Sequence, residues 1–232
     1  MSRKRRGIKG RRVAKRATGD TVLIVCEGEK TEPIYLKALK EHLKLSTTFV
    51  EVVSPSGSAP SNVFKLAVEK LDEACRHGNP YAKVFCVIDK DNHSTYTKIL
   101  DKIKRYTPPV ECTTTLCAIP SVPCFEYWLL MHFSDSTASY GTTGGSACRA
   151  LIDNALKSHL PDYTKSTSLV RLIEGCVQTA KRNAETTLRA AKSSGSCEPY
   201  TLMHRLVEDL EYLKINKVFK EDRKGCHDVC ET

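Results

Sequence analysis

The sequence lacks the features that mark membrane, secreted and repeat proteins. Its 232 residues include no apolar run that approaches the roughly 20 residues of a membrane-spanning helix. The amino-terminal stretch is charged and has no apolar centre, unlike a secretory signal peptide. No internal repeat and no P-loop motif occur. We therefore expect a cytoplasmic protein with no membrane partner.

Acidic residues are absent from residues 1–16, where basic residues are concentrated. The whole chain has 36 Lys or Arg and 27 Asp or Glu, and its net charge of +9 equals the charge of this short segment. Such a segment is expected to be disordered alone and attracted to polyphosphate. We predict that residues 1–19 are a basic tail with nucleic acid as its partner; a solubilising tail is the alternative. The basic residues are Arg3, Lys4, Arg5, Arg6, Lys9, Arg11, Arg12, Lys15 and Arg16.

Eleven cysteines are scattered through predicted strands and helices. Because cysteine often serves as a small buried hydrophobe and cytosolic thiols stay reduced, we expect thiols rather than disulfides. Near the carboxyl terminus, Cys226, His227 and Cys230 have a spacing that hints at zinc, with Cys197 as a further ligand, but a frayed tail is favoured. The scattered cysteines include Cys26, Cys86, Cys117, Cys124 and Cys176.

Strand and helix patterns alternate along the first half of the chain. This order predicts an α/β fold, with a parallel sheet flanked by helices and a C-terminal helical addition. We expect no strand beyond residue 121, and we expect Thr31 and Ser94 to cap helices. The predicted strands are 22–26, 48–53, 82–88 and 113–119, and the predicted helices are 31–44, 62–76, 94–105, 123–133, 147–160, 167–193 and 200–215. The predicted parts are a basic tail (1–19), a core (20–133), a helical addition packed on it (134–215) and a C-terminal tail (216–232).

Carboxylates follow two of the predicted strands. Glu27 directly follows the first apolar strand, and Asp89 and Asp91 follow the third. In an extended segment, residues two positions apart point the same way, so the two aspartates are expected to face together. Ligand sites of open α/β sheets gather at the carboxyl ends of strands, and carboxylate oxygens suit Mg²⁺ or Mn²⁺. The pattern predicts a divalent-metal site, with a polar turn that caps the next helix as the alternative.

Further polar residues lie in less common surroundings. Glu126 lies among apolar and aromatic residues, where a charge is costly to bury without a metal, a base or a helix end as its partner. Lys30 is interpreted as a phosphate contact or, equally, as a solvated lysine. His204 and Arg205 interrupt an amphipathic helix and are predicted to bind substrate, with a structural histidine as the alternative.

Four strings of this sequence resemble the RloB family, a Toprim-type group of bacterial anti-phage and restriction-linked loci. They are IVCEGEKTEPIYLKAL, VIDKD, PCFEYWLLMHF and MHRLVEDL, and the resemblance covers residues 20 to 212. It implies a Rossmann-like Toprim core with a helical addition. Glu27 would be the Toprim glutamate, and Asp89 and Asp91 would be the metal-binding aspartates.

The resemblance also implies an activity. We expect a nuclease that uses Mg²⁺ or Mn²⁺, with Glu27, Asp89, Asp91 and Glu126 as catalytic residues and metal ligands. It would act on DNA or RNA as the toxin subunit of an anti-phage defence system, beside an RloA-like ATPase. Oligomeric state is left open. The alternatives are a nucleotidyl transferase of the primase type and a non-catalytic module that binds nucleic acid or the ATPase.

Overall fold

The centre of the protein is a five-stranded sheet with helices on both faces. The structure is a computed structural model that describes residues 19–47, 49–90, 94–110, 112–141, 144–196 and 198–219. Its strands are β1 (Val22–Cys26), β2 (Val50–Val53), β3 (Lys83–Asp89), β4 (Thr115–Val122) and β5 (Tyr200–Thr201). They lie in the order β2-β1-β3-β4-β5. The first four are parallel, and β5 pairs with β4 in the antiparallel direction.

A helix follows each of the four parallel strands in the chain. The chain between β4 and β5 is mainly helical, and one more helix follows β5. A π-helical turn, Ile152–Leu156, joins the fifth helix to the sixth. The helices are α1 (Thr31–His42), α2 (Pro60–Arg76), α3 (Tyr96–Arg105), α4 (Glu126–Met131), α5 (Gly144–Leu151), α6 (Lys157–His159), α7 (Val170–Ser194) and α8 (Met203–Asn216).

Strand β1 is buried on both faces, so its side chains supply two separate cores. Val22, Ile24 and Cys26 pack in the core that includes α1, α4, α7 and α8. Leu23 and Val25 pack in the core that includes α2 and α3. This is the period-2 alternation of an extended chain, here between two covered faces of a largely parallel sheet. The continuous apolar run thus predicts a central strand, and the structure confirms it.

The two described ends of the chain meet beside the amino end of β1. The backbone N–H of Asp20 donates a hydrogen bond to the carbonyl of Lys217 at 2.8 Å. The N–H of Phe219 donates in turn to Asp20 Oδ2 at 2.6 Å. Residues 19–20 and 217–219 are therefore held together at the amino end of β1, on the side of the sheet opposite the carboxyl ends of the parallel strands.

The α/β fold with a mostly parallel, helix-flanked sheet is confirmed, but the expectation that strands stop at residue 121 is wrong. Strand β5 pairs Thr201 with Ser121 and Tyr200 with Val122. A strand of two residues is too short to show the alternation that distinguishes a strand from the start of a helix. The segment predicted as a helical addition therefore contributes the edge strand of the sheet.

Both predicted helix caps are wrong. The N-cap positions of α1 and α3 are Lys30 and Thr95, and neither makes a side-chain capping bond. The hydroxyl of Thr31 instead lies 3.4 Å from the hydroxyl of Tyr163 and 3.4 Å from the carbonyl oxygen of Lys165. Thr31 therefore joins α1 to the segment between α6 and α7, a contact more than 130 residues away that local sequence could not reveal.

The expectation of reduced cysteines is wrong for part of the set. Cys26 and Cys86 are buried free thiols, as predicted. In the two described disulfides the Cα atoms are 6.0 and 5.8 Å apart, although the partners are separated by 37 and 24 residues in sequence. Spacing along the chain does not determine such pairing. The disulfide-bonded cysteines are Cys75 with Cys112, Cys124 with Cys148, and also Cys117.

Three sets of predictions lie outside the described residues. The tails are largely among them, since residues 1–18 and 220–232 are not described. The predicted zinc ligands Cys197, Cys226, His227 and Cys230 are also outside, as is Asp91. The division of the chain into four parts stays a prediction.

Candidate metal-binding site

Two carboxylates meet where β1 and β3 end. These strands are neighbours in the sheet, and the N–H of Glu27 continues their ladder by donating to the carbonyl of Val87 at 3.1 Å. The N–H of Asp89 donates to Glu27 Oε2 at 3.1 Å. Glu27 is 5% exposed. The backbone at the end of β3 thus orients the carboxylate of Glu27, which directly follows β1.

The first turn of α1 brings a third carboxylate, that of Glu32, which is also 5% exposed. Its Oε1 accepts a hydrogen bond from the N–H of Gly28 at 3.0 Å. A Cβ atom at Gly28 would lie 2.6 Å from that same oxygen, which is closer than real Cβ contacts allow. Glycine thus leaves room for the carboxylate of Glu32 to fold back over the end of β1, and a larger residue would displace that flexible side chain.

Glu126, at the start of α4, is the fourth carboxylate and is 3% exposed. Its Oε1 accepts a hydrogen bond from the hydroxyl of Tyr163 at 2.8 Å. Its Oε2 lies 3.6 Å from Cys148 Sγ. The hydroxyl of Tyr163 also contacts Thr31. The segment between α6 and α7 therefore links the starts of α1 and α4.

The period-2 alternation of β3 explains why these groups converge on one face. Phe85 and Val87 pack in the core that contains α1 and α4. Asp89, two residues further on, points to the same face. The first turns of α1 and α4 present Glu32 and Glu126 on that face. Four acidic side chains from two strand ends and two helix starts thus gather at the carboxyl edge of the sheet.

The charges of the other three carboxylates act on Asp89. Burial raises the pKa of Asp89 well above its usual range, and the charges of Glu32, Glu126 and Glu27 raise it further, in that order. Burial also raises the pKa of Glu32, with a smaller contribution from Glu126. The positive charge of the exposed Lys165 lowers the pKa of both groups. Ionisation of Asp89 and of Glu32 is therefore disfavoured without an additional cation.

A hard divalent cation would suit the chemistry of these residues, although among the described residues no three of the four carboxylates bring ligand atoms within 4.8 Å of one another. Asp89 Oδ1 is buried and has no hydrogen-bond partner among the residues that the structure describes. A buried carboxylate oxygen without a partner is costly, and a cation would satisfy it. The donors that converge here are carboxylate oxygens, the ligands that Mg²⁺ and Mn²⁺ prefer. The ligands would come from Glu27, Glu32, Asp89 and Glu126.

The remaining predicted site residues make no described contact with these carboxylates. Lys30 is exposed at the start of α1. His204 and Arg205 lie in the first turn of α8, where His204 is 5% exposed. Burial lowers the pKa of His204 to about 4, with Arg205 as the next cause, and none of the four carboxylates contributes. This placement favours the structural interpretation of His204.

Sequence reasoning missed Glu32 and Tyr163. Glu32 follows Glu27 by five residues in the same string, but it was interpreted only as part of a helix start. An acidic residue in the first turn of a helix that follows a carboxylate-ended strand is the signal that could have identified it. Tyr163 had no such signal, because it reaches the site from an irregular segment 37 residues beyond Glu126.

The fold and the site define a class, an α/β protein of Rossmann-like architecture with an acidic cluster at the carboxyl edge of its sheet. The comparison with protein families then identifies the group within that class. The family model for RloB-like protein matches residues 22–210, so the chain belongs to the RloB-like family. No curated protein and no solved structure matches the chain. Among the described helices, none combines the length and the apolar character that a membrane crossing needs.

Proposed function

We propose that this protein is a metal-dependent phosphodiesterase of the Toprim type that cleaves nucleic acid. The observation that carries the proposal is the convergence of three buried carboxylates, Glu27, Glu32 and Glu126, on the half-buried Asp89, whose Oδ1 atom is itself buried without a partner among the described residues. Their position at the carboxyl ends of neighbouring parallel strands is where open α/β sheets bind their ligands.

The residues of the cluster have separate tasks in this proposal. Asp89 and Glu126 hold Mg²⁺ or Mn²⁺ from the sheet and from α4, and Glu32 adds a ligand from α1. Glu27, held by the N–H of Asp89, serves as a further ligand or as the general acid or base for the attacking or leaving oxygen. A divalent cation in such a site supplies Lewis-acid stabilisation of the charge that develops on a phosphodiester.

Basic residues of the chain support a polyanionic substrate. The excess of positive charge lies in residues 1–16, which attract nucleic acid in a salt-dependent manner. The charge of Lys165 lowers the pKa of Asp89 and of Glu32, and we propose this exposed lysine as a contact to a phosphate at the cluster. Lys30 and Arg205 are proposed as further contacts to the backbone of the substrate.

We propose in addition that the protein serves in anti-phage defence as the nuclease subunit of a system with an RloA-like ATPase. Membership of the RloB-like family supports this role. In this proposal, nucleotide-driven control of cleavage comes from that ATPase.

A cleavage assay with purified protein tests the activity. Plasmid DNA, single-stranded DNA and total transfer RNA are incubated with Mg²⁺, with Mn²⁺ or with chelator. We expect cleavage of one substrate class that requires the metal, and a loss of about 100-fold or more in Asp89→Asn and Glu126→Gln. Glu29→Gln is the matched control, because Glu29 is an exposed carboxylate two residues from Glu27.

Two results would count against the proposal. Equal cleavage by the wild type and by Asp89→Asn would place the reaction elsewhere or trace it to a contaminant. If no substrate were cut, even with the partner ATPase added, while Mn²⁺ still bound, the chain would be a binding module rather than an enzyme. Calorimetric titration with Mn²⁺ supplies that binding measurement.

A further inference from the structure

A second group of potential metal ligands lies beside the acidic cluster. Cys124, Glu126 and Cys148 offer ligand atoms that all lie within 4.8 Å of one another. The two cysteines are joined as a disulfide, with Cα atoms 5.8 Å apart. Cys124 and Glu126 are buried, and Cys148 is partly exposed. This trio includes sulfur ligands, unlike the carboxylate cluster, and it shares only Glu126 with it.

The two oxygens of Glu126 face different partners. Oε1 accepts the hydrogen bond from Tyr163 at 2.8 Å, which fixes the orientation of the carboxylate. Oε2 then points to Cys148 Sγ, 3.6 Å away. Cys124 reaches the same point because it lies two residues before Glu126, at the entrance to α4. An oxygen and two sulfurs are therefore gathered from α4, its entrance and α5.

We propose that reduction of the Cys124–Cys148 disulfide creates a binding site for a borderline-soft divalent cation such as Zn²⁺, with Cys124, Cys148 and Glu126 as its ligands. Two thiolates and one carboxylate are an accepted donor set for Zn²⁺, which takes four ligands. A water molecule from the side of the partly exposed Cys148 would complete the shell. The site itself does not depend on the proposed nuclease activity.

The backbone already has the separation that both states need. A Cα separation of 5.8 Å is typical of a disulfide. With Zn–S bonds of about 2.3 Å and tetrahedral angles, two zinc-bound sulfurs lie about 3.8 Å apart. Rotation of the two cysteine side chains opens that distance without a shift of α4 or α5.

A dithiol such as dithiothreitol supplies the two electrons and two protons that reduce the Cys124–Cys148 disulfide. One thiolate of the reductant attacks a sulfur of the disulfide, and the second closes the reductant as its own disulfide. Two electrons and two protons pass to Cys124 and Cys148, which become thiols. Binding of Zn²⁺ then releases the two thiol protons to the solvent.

A reductant can reach the disulfide from the solvent side through Cys148, which is partly exposed. A small surface depression beside it is lined in part by Pro123, Ala147 and Tyr140, and the first two are chain neighbours of the paired cysteines. The other free thiols are less suitable ligands for the same cation. Cys26 and Cys86 are buried within the sheet, and Cys176 lies on α7.

Occupation of this site would have a consequence for the acidic cluster. A cation held by the two sulfurs would draw Glu126 Oε2 towards them. The thiol–disulfide state and the Zn²⁺ level would then decide whether Glu126 serves the carboxylate cluster. This regulatory consequence rests on the proposed function, whereas the metal site does not.

Metal binding tests the site directly on the full chain. Peptide mapping of the oxidised protein should first identify the Cys124–Cys148 linkage. Co²⁺, a spectroscopic substitute for Zn²⁺, is then added to oxidised and to dithiothreitol-reduced protein after removal of the reductant without air. We expect a thiolate-to-cobalt charge-transfer absorption only after reduction, and its loss when Zn²⁺ displaces Co²⁺. A carboxylate-only site gives no such absorption, so a failed nuclease assay does not affect this result.

Single substitutions locate the ligands. We expect Cys148→Ser to weaken the binding of Zn²⁺ by about 100-fold or more. Cys176→Ser and Cys230→Ser are matched controls that should leave binding unchanged, and Cys230→Ser examines the cysteine-bearing tail. Circular dichroism of each variant shows whether it folds. The proposal is overturned if reduced protein gives no charge-transfer band, or if the band survives in folded Cys124→Ser and Cys148→Ser.

Discussion

The substitution Asp89→Asn is expected to change stability in opposite directions with and without metal. In the metal-free protein, the Asp89 carboxylate is disfavoured by burial and by three acidic neighbours, and Lys165 opposes them only in part. Its Oδ1 has no partner within the described part of the chain. A buried polar group without a partner costs about 1–3 kcal/mol. Asparagine removes the charge and supplies an N–H₂ donor to the nearby carboxylates, so we expect the variant to be more stable by about this amount.

The pH dependence has a definite sign. Because the pKa of Asp89 is raised in the folded state, the folded protein retains a proton that the unfolded chain has already lost. Stability of the wild type therefore falls as pH rises above the ordinary carboxyl pKa of about 4, until the raised pKa is passed. The gap between the variant and the wild type should widen over that range and disappear in acid.

Metal reverses the order. A cation at 100 times its dissociation constant stabilises a folded protein by about 2.7 kcal/mol, and this gain requires the ligand that the variant lacks. Urea unfolding followed by circular dichroism, with disulfides intact and with either chelator or Mn²⁺, measures all four states. Glu29→Gln should stay within about 0.5 kcal/mol of the wild type in both conditions. The reasoning is refuted if Asp89→Asn is the less stable protein in chelator, or if Mn²⁺ stabilises it as much as the wild type.

Three further predictions concern single residues. Burial lowers the pKa of His132 from 6.5 to about 4, so the free energy of unfolding should fall by up to about 3 kcal/mol as the pH drops from 6.5 to 4. Urea midpoints measure this fall, and an equal dependence of stability on pH in His132→Gln would contradict the prediction. Gly28→Ala should displace the Glu32 carboxylate and weaken Mn²⁺ binding about tenfold without changing any charge; unchanged calorimetric affinity would show that Glu32 is not a ligand. Tyr163→Phe removes the donor to Glu126 and should destabilise the protein by about 1 kcal/mol, whereas a stability equal to that of the wild type would show that the bond contributes nothing.

The sequence predicted the four parallel strands because each is rich in β-branched and apolar residues that favour a strand, although β2 is buried only at Val50. Strand β1 was predicted with its observed bounds, Val22–Cys26. The strand ends then placed Glu27 and Asp89 at one edge of the sheet, since parallel neighbours end together. The expected closeness of these two carboxylates follows from topology rather than from any detail of packing.

What the sequence did not reveal depends on contacts between distant parts of the chain. Strand β5 exists because Tyr200 and Thr201 pair with β4, about 80 residues earlier. Glu32 became part of the site through the close approach of α1 to the end of β1. The pairing of Cys124 with Cys148 likewise follows from the docking of α5 against α4, which no spacing rule predicts.

The hydrogen bonds between residues 19–20 and residues 217–219 have a consequence for the position of any group attached at these residues. Both ends leave the fold at the amino end of β1, which is about 16 Å long at about 3.3 Å per residue. A group attached at residue 19 or at residue 219 would therefore occupy the same pole of the molecule, opposite the carboxylates. Held through either of these positions, the protein would present its acidic edge to the solution.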